Sequence, residues 1–356
     1  MRLPMKDGEV DIERVCRMVD AFLDAGFNYF DTAHGYISTK SETALRTCLT
    51  SRYPRDSYVL TDKLTDFFFK EESDIRPFFH SQLEACGVDY FDFYMMHAQN
   101  AENFPVFKRC RAYETALELK AEGKIRHLGI SFHDTADVLD QILTEYPQVE
   151  VVQLQLNYID WEDPSIQSRK CWEVCRKHGK PVIVMEPCRG GKLANLPEEA
   201  RVFLDELHGG SPASYAIRYA AGHEGVFMVL SGMSDLAQMT ENIGFMKDFQ
   251  PLTPQEQTAL EQIQNWFRRQ DTIPCTACRY CVDGCPAHIS IPDLFACLNA
   301  KRTNQGGHPE YYYENVHTVR NGKASDCVKC GQCEAACPQH LPIRELLEAV
   351  AKEFEA

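Results

Sequence analysis

No stretch of this 356-residue sequence comes near the apolar length of a membrane helix, which is roughly 20 consecutive residues. The opening Met1-Arg2-Leu3-Pro4-Met5-Lys6 lacks the apolar segment of a secretory leader. The expectation is a cytoplasmic protein with no membrane partner. Basic residues are also scarce: 37 Lys and Arg stand against 52 Asp and Glu, a formal net charge of −15. That balance argues against nucleic acid as a partner and leaves no basic recognition surface for a transcriptional redox sensor. No flavin-binding motif is recognisable either. What the chain has in excess is cysteine. Of its 16 cysteines, eight fall in two tight runs between positions 275 and 337. In a cytosolic setting, clustered cysteines point to metal and not to disulfides. The others (Cys16, Cys48, Cys86, Cys110, Cys171, Cys175, Cys188 and Cys297) are scattered and read as small buried apolar side chains.

Short β-rich apolar runs recur at 27–33, 58–64, 90–97, 125–131, 149–158, 181–187 and 226–232, separated by amphipathic stretches of helical length. This alternation predicts a parallel sheet covered by helices. Seven strands are visible where a closed (β/α)8 TIM barrel has eight, and residues 1–5 read as the tail of a truncated first strand. A barrel domain is expected over 1–252, a linker helix over 253–273, and a second domain over 274–356. Thr253, Pro254 and Glu256 form a capping box at the linker's start.

The second domain contains an internal repeat. Cys275, Cys278, Cys281, Cys285 and Pro286 recur 52 positions later as Cys327, Cys330, Cys333, Cys337 and Pro338. Each half reads C-x2-C-x2-C-x3-C-P. Three thiolates at this spacing wrap one face of a cubane cluster, and in two-cluster ferredoxins the fourth cysteine ligates the other cluster. One [4Fe–4S] cluster is therefore expected on Cys275, Cys278, Cys281 and Cys337, and a second on Cys327, Cys330, Cys333 and Cys285. Zinc is the competing reading, but zinc sites use two separated pairs of ligands. The tail resembles helical ferredoxin modules, with a helix after each motif at 291–298 and 343–350.

In the first domain, polar residues arrive at the C-terminal ends of successive predicted strands: Asp31 with Tyr36, then Lys63, then His97. That end is the active face of a β/α barrel. Tyrosine is a poor acid at neutral pH, a nearby ammonium lowers its pKa, and a buried ammonium needs a carboxylate. The four types together make a proton-donating set: Tyr36 as acid, Lys63 and Asp31 as support, and His97 as a hydrogen-bond partner for a carbonyl oxygen.

At these residues the chain resembles the aldo-keto reductase family, in its bacterial branch with a C-terminal 2[4Fe–4S] ferredoxin domain. The Asp31-Thr32-Ala33-x-x-Tyr36 motif carries the resemblance most strongly. Lys63, His97, Gly129-Ile130-Ser131, Gln153 with Asn157, Glu186-Pro187, Ser231-Gly232-Met233 and Glu241-Asn242 extend it. The resemblance implies reduction of an aldehyde or ketone by NAD(H) or NADP(H), or the reverse oxidation of an alcohol. By the same resemblance, Ser131 and Gln153 hold the nicotinamide amide, and the segment from Ser231, Gly232 and Met233 through Gln238 to Glu241 and Asn242 holds the adenine-side phosphates. Met185 takes the place of the family's stacking aromatic, and Gln238 that of an arginine common in NADPH-specific members. NADH is then expected to be accepted, because a 2′-phosphate loses a charge-assisted partner. The family also starts with a hairpin and a first strand upstream of Met1-Arg2-Leu3-Pro4. The alternative reading is a ferredoxin-type electron-transfer or docking protein with a non-catalytic barrel. The clusters are expected either to exchange electrons with a redox partner protein or to tether the module structurally.

Overall fold

Seven of the strands run parallel in strict chain order, and the sheet they form curls through the first part of the chain. The computed structural model describes residues 3–355 apart from 164–165, 271, 276, 278, 303–308 and 338–340. The chain divides into two units: Met1–Leu196 with Arg201–Leu260, and Pro197–Ala200 with Glu261–Ala356.

In the first unit, β1 (Met5–Lys6) and β2 (Glu9–Val10) form a small antiparallel hairpin. The sheet proper is β3 (Tyr29–Asp31), β4 (Val59–Leu64), β5 (Phe91–Gln99), β6 (Ile125–Phe132), β7 (Val151–Gln155), β8 (Val182–Met185) and β9 (Val226–Val229). All seven strands expected from the apolar runs are present, as the staves of a TIM-barrel architecture. Of residues 1–5, expected as the tail of a first stave, Met5 pairs with Val10 of β2 and not with this sheet.

Side chains alternate along a strand, and here the alternation sorts two cores. Tyr29, Met95, Val151 and Ile183 are buried together, with Val59, Phe93 and Met228 against them, and fill the concave interior. The residues between them, such as Phe30, Leu60, Tyr94, Ile130, Val152 and Val184, join the main core under the helices. Each large apolar side chain so buried contributes about 1.5–3 kcal/mol. Gly129 lies on the interior face, and a Cβ there would meet Met95 Sδ at 2.3 Å and Val151 Cγ1 at 2.6 Å. The interior layer therefore closes only over glycine.

The helix Pro254–Arg269 starts with the capping box read from the sequence. Thr253 N donates to Glu256 Oε2 at 2.7 Å, and Glu256 N donates to Thr253 Oγ1 at 3.3 Å. Glu256 also takes a two-pronged ion pair from buried Arg218, at 2.8 and 2.9 Å.

The second unit is helical. Ile291–Arg302 and Ile343–Phe354 pack through Leu294, Phe295, Leu298, Leu347 and Val350. The internal repeat is legible in its backbone. Ala277 and Arg279 have φ of 56° and 69°, and Lys329 and Gly331, each 52 residues later, have 57° and 79°. Left-handed non-glycine residues cost about 1–2 kcal/mol each, so something local must hold these loops in place.

Candidate active site and cluster pockets

The interior face gives each strand one position beyond the apolar layer, and the expected site residues occupy those positions. Asp31 follows Tyr29 on β3, and Lys63 follows Val59 and Thr61 on β4. His97 follows Met95 on β5, and Gln153 follows Val151 on β7. Ser131 and Gln153 are register partners. The strand-end placement expected for the site is the C-terminal rim of this curled sheet.

Lys63 is wholly buried. Its Nζ donates to Asp31 Oδ1 at 2.6 Å and to the Thr32 carbonyl at 2.7 Å, and lies 4.8 Å from the Tyr36 ring centroid. Burial works to strip its proton, but Asp31, Tyr36 and Asp62 together more than offset this, so its proton affinity rises above the ordinary lysine value. Breaking such a pair strands a charge, which is why the Asp31–Lys63 contact is a fixed part of the rim.

Tyr36 stands edge-on to His97, with ring centroids 5.8 Å apart. The loop carrying it is constrained. Ile37, Ser38 and Thr39 are all left-handed, with φ of 53°, 51° and 67°. The turn is closed by Lys40 N donating to Ile37 O and Ser41 N to Tyr36 O. Thr32 and Ser41 clamp its base through their hydroxyls at 2.7 Å. Strain of this kind persists only where the surroundings over-determine it. From residue types alone, Lys63 is expected to lower the tyrosine pKa. Lys63 does pull it down, but burial prevails and the net direction is up. The phenol therefore stays protonated through neutral pH.

His97 sits at a β-bulge. The β5–β6 register shifts between Met96 and Gln99, and Ala98 is left-handed with its N–H donating to Ser131 Oγ at 2.8 Å. Bulges re-aim side chains next to sites. Burial, then the Lys63 charge, push the imidazole down to about 3, so it is neutral. Its Nδ1 lies 2.6 Å from Thr65 Oγ1. Thr65 was not singled out in the sequence; only the fold brings it to the histidine.

Two buried oxygens in this region, Asp31 Oδ2 and Gln153 Oε1, have no hydrogen-bond partner among the described residues. Met185 closes β8 in register with Gln155. The segment running from Ser231 through Gly232 and Met233 has a local structure of its own. Asn242 Nδ2 donates to Ser231 Oγ at 3.0 Å, Asp235 caps the helix Leu236–Lys247, and Gln238 Oε1 accepts from Ser234 N at 2.8 Å. Glu241 lies within that helix.

In the second unit, Cys285 of the first cysteine run shares one pocket with Cys327, Cys330 and Cys333 of the second. Pro286, Ile289, Ile291 and Leu347 also line that pocket. Cys281 and Cys337 are buried in the same apolar cluster, with Cys275 packed against it. Cys278 lies outside the described residues. Backbone N–H groups point at sulfur: Ala277 N lies 3.4 Å from Cys275 Sγ, and Ile289 N 3.5 Å from Cys285 Sγ. A crowd of thiols with amide donors and an apolar lining suits an anionic iron–sulfur cluster.

Residues 1–265 match the family model of the aldo/keto reductases, and residues 274–341 match that of the 4Fe-4S dicluster domain. This chain belongs to the aldo/keto reductase family. It is an oxidoreductase whose C-terminal unit is a two-cluster iron–sulfur domain. Among its relatives is an NADH-specific methylglyoxal reductase of Escherichia coli, 27% identical over 59% of this chain and 66% of that one. Another is the L-galactose dehydrogenase of Arabidopsis thaliana, 26% identical over 66% of this chain and 79% of that one. The chain thus spans between about two thirds and four fifths of these relatives. In structure it is similar to a Klebsiella pneumoniae aldo-keto reductase solved with NADPH, with a TM-score of 0.59 and 20% identity over 72% of this chain and 87% of that one. Among the described residues, no helix is long and apolar enough to cross a membrane.

Proposed function

We propose that the barrel unit reduces an aldehyde or ketone to the alcohol, or runs the reverse, with a nicotinamide nucleotide. The observation that carries this reading is wholly buried Lys63, ion-paired to Asp31 at 2.6 Å and held against the Tyr36 ring at 4.8 Å. The nucleotide would supply the hydride; the chain's own residues supply the rest. The carbonyl oxygen is to sit between Tyr36 and His97. His97 is neutral and so polarises the oxygen by a hydrogen bond and not by charge. Tyr36 releases its proton to that oxygen, and Lys63 stabilises the phenolate left behind. Asp31 keeps Lys63 charged in its buried position.

The residues present fit a nicotinamide. Gln153 Oε1 is a buried acceptor lacking a donor, and the carboxamide N–H supplies one. The Ser131 hydroxyl stands beside it on the next strand. Gln238 carries no charge, and its side chain is engaged with Ser234 N. NADH is therefore accepted on our reading, in keeping with the specificity in the name of the E. coli relative. We assign Cys285, Cys327, Cys330 and Cys333 to one cluster and Cys275, Cys278, Cys281 and Cys337 to the other. Cys330 is exposed, which favours electron exchange with a partner protein. The reducing cytoplasm keeps such thiols available for iron.

The test is anaerobic turnover of NADH and NADPH by the iron-reconstituted chain against a panel of small aldehydes and ketones. Carbonyl-dependent oxidation of either nucleotide is expected. Its absence across the panel, with nucleotide bound, would remove the assignment.

The Thr65–His97 contact yields a finer expectation. For Nε2 to carry the hydrogen that meets the substrate, Nδ1 must accept from the Thr65 hydroxyl. Thr65→Val should then lower kcat/KM about tenfold, the scale of one lost hydrogen bond to a reacting group. Thr65→Ser should restore most of it. Equal rates in Thr65→Val and the parent would show that Thr65 does not set the tautomer.

A further inference from the structure

Directly behind Lys63, on the helix-facing side of β4, lies a second group of titratable residues that the reaction does not use. Asp62 precedes Lys63, so alternation turns it away from the barrel interior and toward the helices Ser41–Leu45 and Glu72–Cys86. Asp62 is fully buried and Glu42 is 1% exposed. One oxygen of Glu42, one of Asp62 and the Sγ of Cys86 lie within 4.8 Å of one another. Asp62 Oδ1 accepts from Lys63 N at 2.8 Å and Gln82 Nε2 at 3.0 Å, and the Cys86 thiol donates toward Oδ2 at 3.6 Å. Glu42 Oε2 lies 2.8 Å from His34 Nδ1. Its other oxygen, Oε1, is buried and has no hydrogen-bond partner among the described residues.

Two carboxylates this close inside a protein do not both ionise at neutral pH, because each already faces a desolvation penalty and the two repel. A single proton removes both problems. Placed between the two groups, it supplies the missing donor at Glu42 Oε1 and leaves one net charge.

We propose that Glu42 and Asp62 share one proton as a carboxylic acid–carboxylate dyad, and that this dyad positions Lys63 and sets the charge felt by Lys63 and Tyr36. The positioning is direct. Asp62 holds the Lys63 N–H, and Gln82, bonded to Asp62, also donates to the Lys63 carbonyl at 3.0 Å. Through Glu42 and His34 the dyad is tied to the loop that carries Tyr36. The charge is felt at the site too, since the Asp62 carboxylate raises the proton affinity of both Lys63 and Tyr36. The groups that face the dyad are His34 from the loop, Lys63 from β4, Cys86 with neutral Gln82 from the helix, and Tyr94 from β5. The buried thiol and the Tyr94 phenol are both pushed upward, partly by Asp62 and Glu42, and stay neutral. Lys63 is already committed to Asp31.

Burial raises the proton affinity of both acids; the interaction between them raises that of Asp62 further and draws that of Glu42 partly back down, as sharing one proton requires. As pH rises through the dyad's second ionisation, a second negative charge appears behind Lys63, and Tyr36 holds its proton more tightly. The dyad's contribution to folding runs the same way. With folded proton affinities above the unfolded ones, it is present in acid and is lost as pH rises through the folded value.

The experiment uses the cluster-loaded protein, the parent chain, Glu42→Gln and Asp62→Asn. Both substitutions are isosteric, and each turns the shared proton into an amide hydrogen bond. Infrared spectra with isotope-labelled acidic residues should show a protonated-carboxyl band in the parent at neutral pH that both variants lack. The proposal concerns the reaction read above, so kcat/KM against pH is the second arm. A fall of roughly threefold toward alkaline pH is expected in the parent, as a shift of order one pKa unit in the acid implies, and a flat profile in both variants. A band that survives both substitutions, or a stoichiometric non-iron metal lost on Glu42→Gln, overturns the shared proton. A pH step unchanged in Asp62→Asn overturns the charge-setting role. If the protein reduces no carbonyl at all, the infrared arm still decides the dyad.

Discussion

Tyr36→Phe should lower kcat/KM for carbonyl reduction by about a thousandfold, within the range of roughly 10^2 to 10^4 that positioned proton transfer contributes. Such a loss corresponds to about 4 kcal/mol of transition-state stabilisation. The substitution is clean because phenylalanine keeps the ring. The edge contact to His97 and the Lys63 ammonium at 4.8 Å from the ring are both made by carbon atoms that remain. Only the hydroxyl is removed, and with it the proton and the phenol oxygen's contact to Lys63. Iron content and cluster absorbance, which belong to the other unit, should not change. Undiminished turnover in the variant would end the assignment of Tyr36 as the acid, whatever else the barrel does.

Cys285→Ser should deplete the same cluster as Cys327→Ser, although the two residues belong to different cysteine runs. The pocket that joins Cys285 to Cys327, Cys330 and Cys333 carries this expectation. Two clusters of four irons make eight per chain, and each variant should retain about half of that. The double variant Cys285→Ser with Cys327→Ser should retain the same half, since both ligands serve one cluster. If the double variant loses nearly all its iron while each single variant keeps half, the two residues serve different clusters and the crossed assignment is wrong. The crossed arrangement also clips the two ends of the repeat together. The left-handed turns at Ala277, Arg279 and Lys329 are then held by thiolate–metal bonds as well as by backbone hydrogen bonds.

Much of this is written locally in the sequence. Strand positions follow from apolar runs bounded by polar residues, and Asp31, Lys63 and His97 stand out because each ends such a run. The helix Pro254–Arg269 is announced by Thr253, Pro254 and Glu256, and Thr253 and Glu256 form the capping box that was expected. The cysteine spacing repeats because two loops fold alike.

Other features depend on what the fold brings near. Ile37 and Thr39 are β-branched, which argues against the left-handed conformations they adopt, so the turn after Tyr36 has no sequence signal. The bulge at His97–Ala98 reflects how β5 meets β6, not any residue in β5 alone. Thr65 becomes a partner of His97 only when β4 and β5 lie side by side. The tyrosine's proton affinity is not legible in the sequence for a similar reason: residue types identify Lys63 as a neighbour, but the fold decides that burial outweighs it. Asp62 did carry a signal. An acid one step from the interior-facing Lys63 must face the helix layer, where an unshared charge is not tolerated.

The most direct test of the reductase reading follows an isotope. The iron-loaded chain is mixed with NADH or NADPH deuterated at the transferring position and with an aldehyde that it turns over, and the alcohol is analysed by mass spectrometry. Deuterium on the carbinol carbon, with none lost to solvent, is expected if hydride passes straight from nucleotide to carbonyl under Tyr36 and His97. Alcohol formed without the label would show that the electrons took another route, through the clusters, and would contradict a barrel that reduces carbonyls by itself.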